Sequence, residues 1–347
     1  MSKLLVRATN WLGDAVMSIP ALRQIRRAHS GWEITILARP WVADLYARED
    51  FCDHIIAYEH HGEHQGLLGK RRLASALRSE NFDRAVLLQN AFDAALLAWA
   101  ARIPERIGYD RDGRGFLLTN AIALPHDGDT PAHQRFYYLE LLRRAGLINA
   151  IPECADIRLG GIDSAARAGR EQWSGRGFPE TPWIGVSPGA AYGTAKRWLP
   201  ERFAAAAREL AHELDAQVAV FGSAAEAPLA SSIAGDIGER GHCLAGETSL
   251  TEFIELASTC KLYLTNDSGP MHVAAALGVP TVAIFGATDH ITTGPSASWA
   301  KIIREPVECS PCLLRECPIT EPVSHPCMSG VDVSRVVAAA REQLALS

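Results

Sequence analysis

The sequence predicts an α/β protein with two domains, each built around a doubly wound parallel sheet. Three observations support this. Short apolar strands alternate with amphipathic helices in both halves of the chain. A stretch rich in Gly, Pro and charge interrupts the alternation between residues 150 and 182. The chain has 347 residues, 48% of them hydrophobic, which is enough for two separate cores.

In the first half, buried-strand patterns are followed by helical patterns with apolar residues three or four positions apart. The first helix shows this spacing at Val16, Ile19, Leu22 and Ile25. The predicted strands cover residues 3–8, 33–38, 54–58, 84–89 and 106–109, and the predicted helices cover 14–28, 42–48, 67–80, 91–101 and 133–145.

The second half restarts the same alternation. Gly278 is expected to end a compact Ala-rich helix before the next strand resumes. The predicted strands cover residues 183–187, 217–221, 262–265 and 279–285, and the predicted helices cover 164–174, 200–214, 226–237, 251–258, 271–277 and 331–345. The predicted organisation is therefore a first domain at 1–160, a linker at 161–182, a second domain at 183–330 and an amphipathic C-terminal helix at 331–347.

Composition and motifs exclude several classes of function. The net charge of −6 argues against nucleic acid as a partner. We find no signal-peptide pattern and no apolar run long enough to span a membrane, so we expect a cytoplasmic protein that could still touch a membrane surface. The chain lacks G-x-G-x-x-G after its first strand, a P-loop, a D-x-D strand end and a G-x-S-x-G elbow. We predict no cofactor.

The segment NDSGP at 266–270 joins a buried strand to a helix and resembles a phosphate-binding turn. In a parallel sheet such a turn lies at the carboxyl edge, where free amides and the helix dipole favour an anion. Asp267, Ser268 and Gly269 are the candidate ligands, with His272 in the first helical turn. The alternative is that Asp267 and Ser268 are ordinary helix caps.

Three further strand-end loops in the second half carry candidates for the same ligand. PGAAYGTAKRW at 188–198 contributes Gly189, Ala190, Lys196 and Arg197, and Lys196 could neutralise a diphosphate or be a solvated charge. Glu226 could accept ribose hydroxyls or cap the following helix. Thr288 lies in the loop that follows the 279–285 strand.

Asp14 follows the first strand at the start of a helix. It could be a helix N-cap, or a general base that removes the proton of an incoming hydroxyl.

Four of the eight cysteines are close together near the end of the chain. Cys309, Cys312, Cys317 and Cys327, with His325 nearby, could hold zinc. Their spacing is not that of paired zinc knuckles, so reduced thiols are the default expectation and no metal is predicted.

Five ordered motifs resemble the ADP-heptose:lipopolysaccharide heptosyltransferases. They are GDAVMSIPAL, PERIGY, PGAAYGTAKRW, the NDSGPMHVAAALGVPTVAIFG block and CSPCLLRECP, and they span nearly the whole chain. The resemblance is greatest to the enzymes that add the second heptose. It implies a GT-B fold, with the ADP-sugar held by the second domain and a lipid-linked acceptor by the first.

The resemblance also assigns roles to individual residues. It makes Asp14 the catalytic base, Lys196 the diphosphate ligand and Glu226 the ribose ligand, with Asp267 taking sugar hydroxyls or tying the turn. Asn10, Asn90 and Arg106 are predicted to contact the acceptor. Because that acceptor is anionic, basic side chains of the first half are further candidates: Lys70, Arg71, Arg72, Arg102, Arg106, Arg111 and Arg114.

The resemblance implies inverting transfer of L-glycero-D-manno-heptose from its ADP ester to a heptosyl-Kdo2-lipid A type acceptor, with peripheral contact to the inner membrane. Two alternatives stay open. One is transfer to the first or a later heptose, and the other is a non-catalytic sensor of a nucleotide sugar.

Overall fold

The structure is a computed structural model that describes residues 1–153, 156–178, 180–321 and 324–346. The chain forms two compact units, Met1–Cys154 and Ala155–Ser347. Residues 154, 155, 179, 322, 323 and 347 lie outside the description, and Pro179 belongs to the predicted linker.

The first unit contains a six-stranded sheet in the order β3-β2-β1-β4-β5-β6, and each described pair of neighbouring strands is parallel. Strands β1 and β2 are buried along almost their whole length, as expected for a parallel sheet covered on both faces. Its elements are β1 Lys3–Arg7, α1 Leu12–Ala28, β2 Glu33–Ala38, α2 Pro40–Tyr46, β3 His54–Ala57, α3 Gly66–Ser79, β4 Arg84–Leu87, α4 Phe92–Ala100, β5 Glu105–Tyr109, β6 Asn120–Ile122 and α5 Gln134–Arg144.

The second unit contains another six-stranded parallel sheet, in the order β12-β11-β10-β7-β8-β9. Its elements are α6 Ile162–Gly175, β7 Trp183–Ser187, α7 Pro200–Leu214, β8 Gln217–Val220, α8 Ala227–Ile237, β9 Gly241–Cys243, α9 Leu250–Ala257, β10 Leu262–Asn266, α10 Gly269–Ala276, β11 Thr281–Phe285, α11 His290–Thr293, β12 Ala300–Arg304, α12 Pro326–Ser329 and α13 Val333–Ala345.

Each sheet changes its winding direction between two central strands. These are β1 and β4 in the first unit, and β7 and β10 in the second. Ligands of doubly wound sheets bind beyond the carboxyl ends of the strands at this switch point. The loops that follow β1, β4, β7 and β10 therefore occupy the position where a ligand is expected in each unit.

The predicted strands and helices are confirmed to within a few residues at their ends. The prediction missed β6, β9 and β12, which all lie at sheet edges. An edge strand needs no continuous apolar run, so GHC in β9 and NAI in β6 carry almost no pattern. The domain boundaries stay predictions, although the segment 162–175 of the predicted linker is helix α6, which packs on α9 of the second unit.

Two helix starts differ from the prediction in ways that affect the site. Helix α1 begins at Leu12 with Trp11 at the N-cap, so the N-cap interpretation of Asp14 is wrong. Helix α10 begins at Gly269 and β10 runs through Asn266, which shortens the predicted turn to Asp267 and Ser268. No helix within the described ranges is long and apolar enough to cross a bilayer.

Candidate active site

In the second unit, the turn between β10 and α10 is held by an ion pair. The Asp267 carboxylate is only 4% exposed, and Lys196 Nζ donates to it at 2.6 Å while the Thr288 hydroxyl donates to the same oxygen. Loops that follow β7, β10 and β11 thereby meet at one carboxylate. Of the two roles predicted for Asp267, this contact supports tying the turn.

Lys196 keeps capacity for a ligand beyond this ion pair. An ammonium group carries three N–H donors, and Asp267 accepts from one of them. The Lys196 side chain is 14% exposed, and its Nζ lies 5.0 Å from the centre of the Tyr192 ring. Its neighbour Arg197 has a buried Nε with no hydrogen-bond partner among the described residues. Lys196 can therefore bind an anion at this edge of the sheet, while a ligand contact of Arg197 stays a prediction.

Asn266 joins the two strand-end loops at the switch point of the second unit. Its side chain is fully buried, accepts from the Trp198 amide at 2.9 Å and donates to the Pro188 carbonyl at 2.6 Å. Both ends of the loop that carries Lys196 are thus fixed to the end of β10. The sequence places Asn266 in the turn but gives no sign of this clamp.

Replacing Asn266 with alanine should destabilise the second unit. It leaves a buried amide and a buried carbonyl without partners, at a cost of about 1–3 kcal/mol for each group. Urea unfolding of Asn266→Ala measures the loss, with Asn149→Ala as a matched control because Asn149 is exposed. Equal unfolding free energies for the two variants would contradict the clamp.

Glu226 lies against Gly189, another residue of the predicted ligand set. Its Oε2 accepts from both the amide and the hydroxyl of Ser223 at 2.8 Å, which forms a capping box. A Cβ on Gly189 would overlap the Glu226 carboxyl group, so any larger residue there would have to displace that side chain. Glu226 thus closes the short 3₁₀ turn at 224–226, while its side chain makes no capping bond to the following helix α8, so the alternative that it caps that helix is wrong. The ribose contact of Glu226 stays a prediction.

The remaining residues of the predicted turn lie around the start of α10. Ser268 occupies the N-cap position, but among the described contacts its Oγ lies 3.4 Å from Thr265 Oγ1 and caps no amide. Gly269 is the first helical residue, and His272 is 5% exposed at the fourth position. Pro270 has no amide hydrogen and the Met271 amide donates to the Ser268 carbonyl at 3.2 Å, so among the described residues the Gly269 amide is the donor that this helix start offers to an anion.

In the first unit, Asp14 lies in the first turn of α1 and accepts a hydrogen bond from the Tyr138 hydroxyl at 3.1 Å. Tyr138 is buried. Burial first, and then the charge of Asp14, raise the pKa of Tyr138 well above its ordinary value, so its hydroxyl stays protonated and donates. The carboxylate is oriented by a partner distant in sequence, which is the arrangement that a positioned general base needs.

The predicted acceptor ligands have different surroundings. Asn10 accepts from Arg7 at 2.7 Å, and Asn90 accepts from Arg114 at 3.1 Å and donates to Tyr137 at 2.8 Å. Arg106 donates to the carbonyls of Leu117, Ile103 and Pro104. Its hydrogen bonds hold backbone, and its contact with an acceptor stays a prediction.

The cysteine-rich segment packs against the loop that carries Lys196. Tyr192 donates to the Leu313 carbonyl at 2.6 Å, and the Ala195 amide donates to the Arg315 carbonyl at 3.0 Å. His325 Nε2 lies 2.8 Å from the Ala195 carbonyl oxygen. A Cβ on Gly193 would overlap the Arg315 carbonyl. The segment therefore helps to shape the loop.

The thiols themselves do not form a metal site in the described part of the chain. Burial raises the pKa of the Cys327 thiol to about 11, and three neighbouring thiols add to the rise: Cys309, Cys317 and Cys312. Across residues 1–153, 156–178, 180–321 and 324–346, no group of three or more His, Cys, Asp or Glu side chains is placed to hold a metal ion.

Two doubly wound parallel sheets with polar loops at both switch points are the architecture of the GT-B glycosyltransferases. The model of glycosyltransferase family 9 (heptosyltransferase) matches residues 70–322. The chain belongs to this family.

Bacterial heptosyltransferases are similar to this chain over most of its length. Lipopolysaccharide heptosyltransferase 2 of Salmonella typhimurium is 33% identical over 310 residues, which cover 87% of this chain and 88% of the relative. Lipooligosaccharide heptosyltransferase 2 of Haemophilus influenzae is 32% identical over 317 residues, with the same coverage of 87% and 88%. The structure of Escherichia coli ADP-heptose lps heptosyltransferase II superposes with a TM-score of 0.81 at 29% identity, covering 99% of both chains.

Proposed function

We propose that this glycosyltransferase moves L-glycero-D-manno-heptose from ADP-heptose to the first heptose of the lipopolysaccharide inner core, as a heptosyltransferase II. The observation that carries the proposal is the Lys196–Asp267 pair at the switch point of the second unit, beside the start of α10. Relatives named heptosyltransferase 2, which match 87% of the chain, support the choice of substrates.

The proposed mechanism assigns a different catalytic role to each unit. In the first unit, Asp14 removes the proton of the acceptor hydroxyl as it attacks the anomeric carbon of the heptose. In the second unit, Lys196 and the positive end of the α10 helix dipole stabilise the negative charge that grows on departing ADP. The bond from the anomeric carbon to the pyrophosphate oxygen breaks as the new glycosidic bond forms, so the configuration inverts. No metal or cofactor is assigned to the reaction.

Release of ADP from ADP-heptose, measured with acceptors that differ by one sugar at a time, tests this proposal. We expect release, and an acceptor heavier by one heptose, with heptosyl-Kdo2-lipid A and not with Kdo2-lipid A. Release with Kdo2-lipid A would assign transfer to the first heptose instead. Binding of ADP-heptose without release of ADP for any acceptor would mean a nucleotide-sugar sensor.

We propose that the enzyme acts at the cytoplasmic face of the inner membrane, which it contacts through α3. At the start of this helix, Leu67 and Leu68 are 82% and 76% exposed. Exposed leucines beside basic residues favour binding to an anionic lipid surface. The basic residues next to them are Lys70, which pairs with Asp93, and the exposed Arg71 and Arg72.

Replacing both Leu67 and Leu68 with serine should lower the affinity for phosphatidylglycerol vesicles, measured by co-sedimentation, by roughly tenfold or more. The reason is that burying each leucine stabilises the bound state by about 1.5–3 kcal/mol. Turnover with detergent-dispersed acceptor should not change. Leu346→Ser is the control, since Leu346 is 76% exposed in the second unit. Equal sedimentation of the double variant and the parent would reject α3 as the contact.

A further inference from the structure

Two buried arginines lie at the carboxyl edge of the first sheet, and the sequence prediction names neither. Arg7 is the last residue of β1 and Arg39 directly follows β2, and they are 3% and 8% exposed. Tyr58 follows β3 at the same edge. Because parallel strands end on one side of a sheet, these three side chains meet beside the switch point.

The two guanidinium groups converge on one tyrosine ring and one amide oxygen. Cζ of Arg39 lies 4.4 Å from the centre of the Tyr58 ring, and Cζ of Arg7 lies 5.3 Å from it. Asn10 Oδ1 accepts from Arg7 Nη2 at 2.7 Å and from Arg39 Nε at 3.3 Å. Two like charges are therefore held together by neutral partners.

The Asp93 carboxylate, whose negative charge raises the pKa of both arginines, already has a cation as its partner. Asp93 forms an ion pair with Lys70 and accepts from the Tyr58 hydroxyl at 2.7 Å. Burial first, and then the charge of Arg39, lower the pKa of Arg7 to about 10. Burying charge is costly unless it is paired, so this group of described residues has an excess of positive charge that an anion would offset.

Hydrogen-bond donors remain open in this group. Arg7 Nε is buried and has no partner among the described residues. Arg39 uses Nε for Asn10 and Nη1 for the Tyr58 carbonyl, at 3.3 and 3.5 Å, which leaves Nη2 with no partner in the described part of the chain. The planar fork of an arginine matches the oxygens of a carboxylate or a phosphate.

Exposed indoles lie next to the arginines. Trp41 is 52% exposed, donates to the Asn10 carbonyl at 3.0 Å, and its ring centre lies 5.8 Å from Cζ of Arg39. Trp11 is 57% exposed in the residue after Asn10. An exposed indole offers an apolar face with a polar edge, and beside a guanidinium group it suits a sugar ring that carries an anionic group.

We propose that Arg39, supported from behind by Arg7, binds an anionic group of the acceptor saccharide, a carboxylate or a phosphate, while Trp41 covers a neighbouring sugar ring. This inference rests on the proposed function, which supplies the anionic acceptor. Asn10 lies between β1 and α1, and the base Asp14 follows in the first turn of α1. Binding the anion next to Asn10 therefore positions the attacking hydroxyl near Asp14.

Steady-state kinetics of Arg39→Gln test the subsite, with Arg78→Gln as the control because Arg78 is exposed on α3. We expect the KM for heptosyl-Kdo2-lipid A to rise roughly 10- to 100-fold, the range for losing a charge-assisted hydrogen bond. The KM for ADP-heptose should stay at the parental value. Arg39→Lys should recover part of the affinity, since it restores the charge without the fork.

Modified acceptors identify the anion and separate binding from a structural role. A dephosphorylated acceptor and one with its carboxyl groups reduced to alcohols are compared in the parent and in Arg39→Gln. With the parent enzyme, the acceptor that lacks the bound anionic group should have a higher KM than the native acceptor. The Arg39→Gln substitution should raise the KM for that modified acceptor no further. If the variant raises KM by the same factor for the native acceptor and for both modified ones, or does not raise it at all, the subsite is rejected.

Failure of the subsite can be told from failure of the proposed function. If the parent releases no ADP with any acceptor, the proposed function fails, and titration of tryptophan fluorescence with heptosyl-Kdo2-lipid A micelles then decides the subsite. Weaker binding by Arg39→Gln than by Arg78→Gln would support it. Equal binding by the two variants would reject it.

Discussion

Replacing Asp14 with asparagine should lower heptose transfer by roughly 10²–10⁴-fold, the contribution of a positioned general base. Asparagine has nearly the same shape and keeps an oxygen that can accept the hydrogen bond from Tyr138, so the fold should be retained. It cannot take up the proton of the acceptor hydroxyl. The loss should appear in kcat, with unchanged affinity for ADP-heptose.

Asp50→Asn is the matched control for this prediction, because Asp50 is exposed in the same unit. Calorimetric titration with ADP-heptose should give the parental affinity for both variants. A parental rate of transfer in Asp14→Asn would exclude Asp14 as the base. Tyr138→Phe should have a smaller effect on kcat, because it removes one hydrogen bond to the carboxylate but leaves its charge.

Removing the Lys196 ammonium group has the second largest expected effect, on both turnover and stability. Loss of one preorganised charge donor at a leaving group lowers kcat by roughly 10²–10³-fold. The same change leaves the buried Asp267 carboxylate without its cation, and breaking such a pair costs about 3–5 kcal/mol. Lys196→Ala should therefore turn over slowly and melt at a lower temperature.

A double variant separates the two effects. In Lys196→Met with Asp267→Asn neither charge remains, so thermal unfolding should return toward the parental midpoint while kcat stays low. Lys301→Met is the control, because Lys301 is an exposed lysine of the same unit. Full turnover in Lys196→Ala, with unchanged affinity for ADP-heptose, would remove Lys196 from the leaving-group role.

Most of the fold was predictable because central strands of a parallel sheet must be apolar on both faces. Strand β7 and helix α7 were predicted with the bounds that the structure shows. The edge strands β6, β9 and β12 were missed because one side of each is open and demands no pattern. The start of α1 was misplaced because Trp11, a poor capping residue, holds the N-cap position.

The candidate site was predictable in part. Lys196, Asp267 and Thr288 each follow a buried strand, so a pattern of strands and loops is enough to place them at one edge. Their ion pair and hydrogen bond are not encoded in any local pattern. The sequence also did not predict the contacts of Asn266 or the hydrogen bond from Tyr138 to Asp14, because the partners are separated by many residues along the chain.

By itself, the sequence determined the two doubly wound units, the strand-end loops and the family resemblance, because these depend on periodicity and on ordered motifs along the chain. Only the tertiary structure decided which polar side chains meet. It paired Lys196 with Asp267, fixed the loop by Asn266 and gathered Arg7 and Arg39 around Tyr58. The physical reason is that buried charges and amides must find partners wherever folding places them, and those partners come from distant strands.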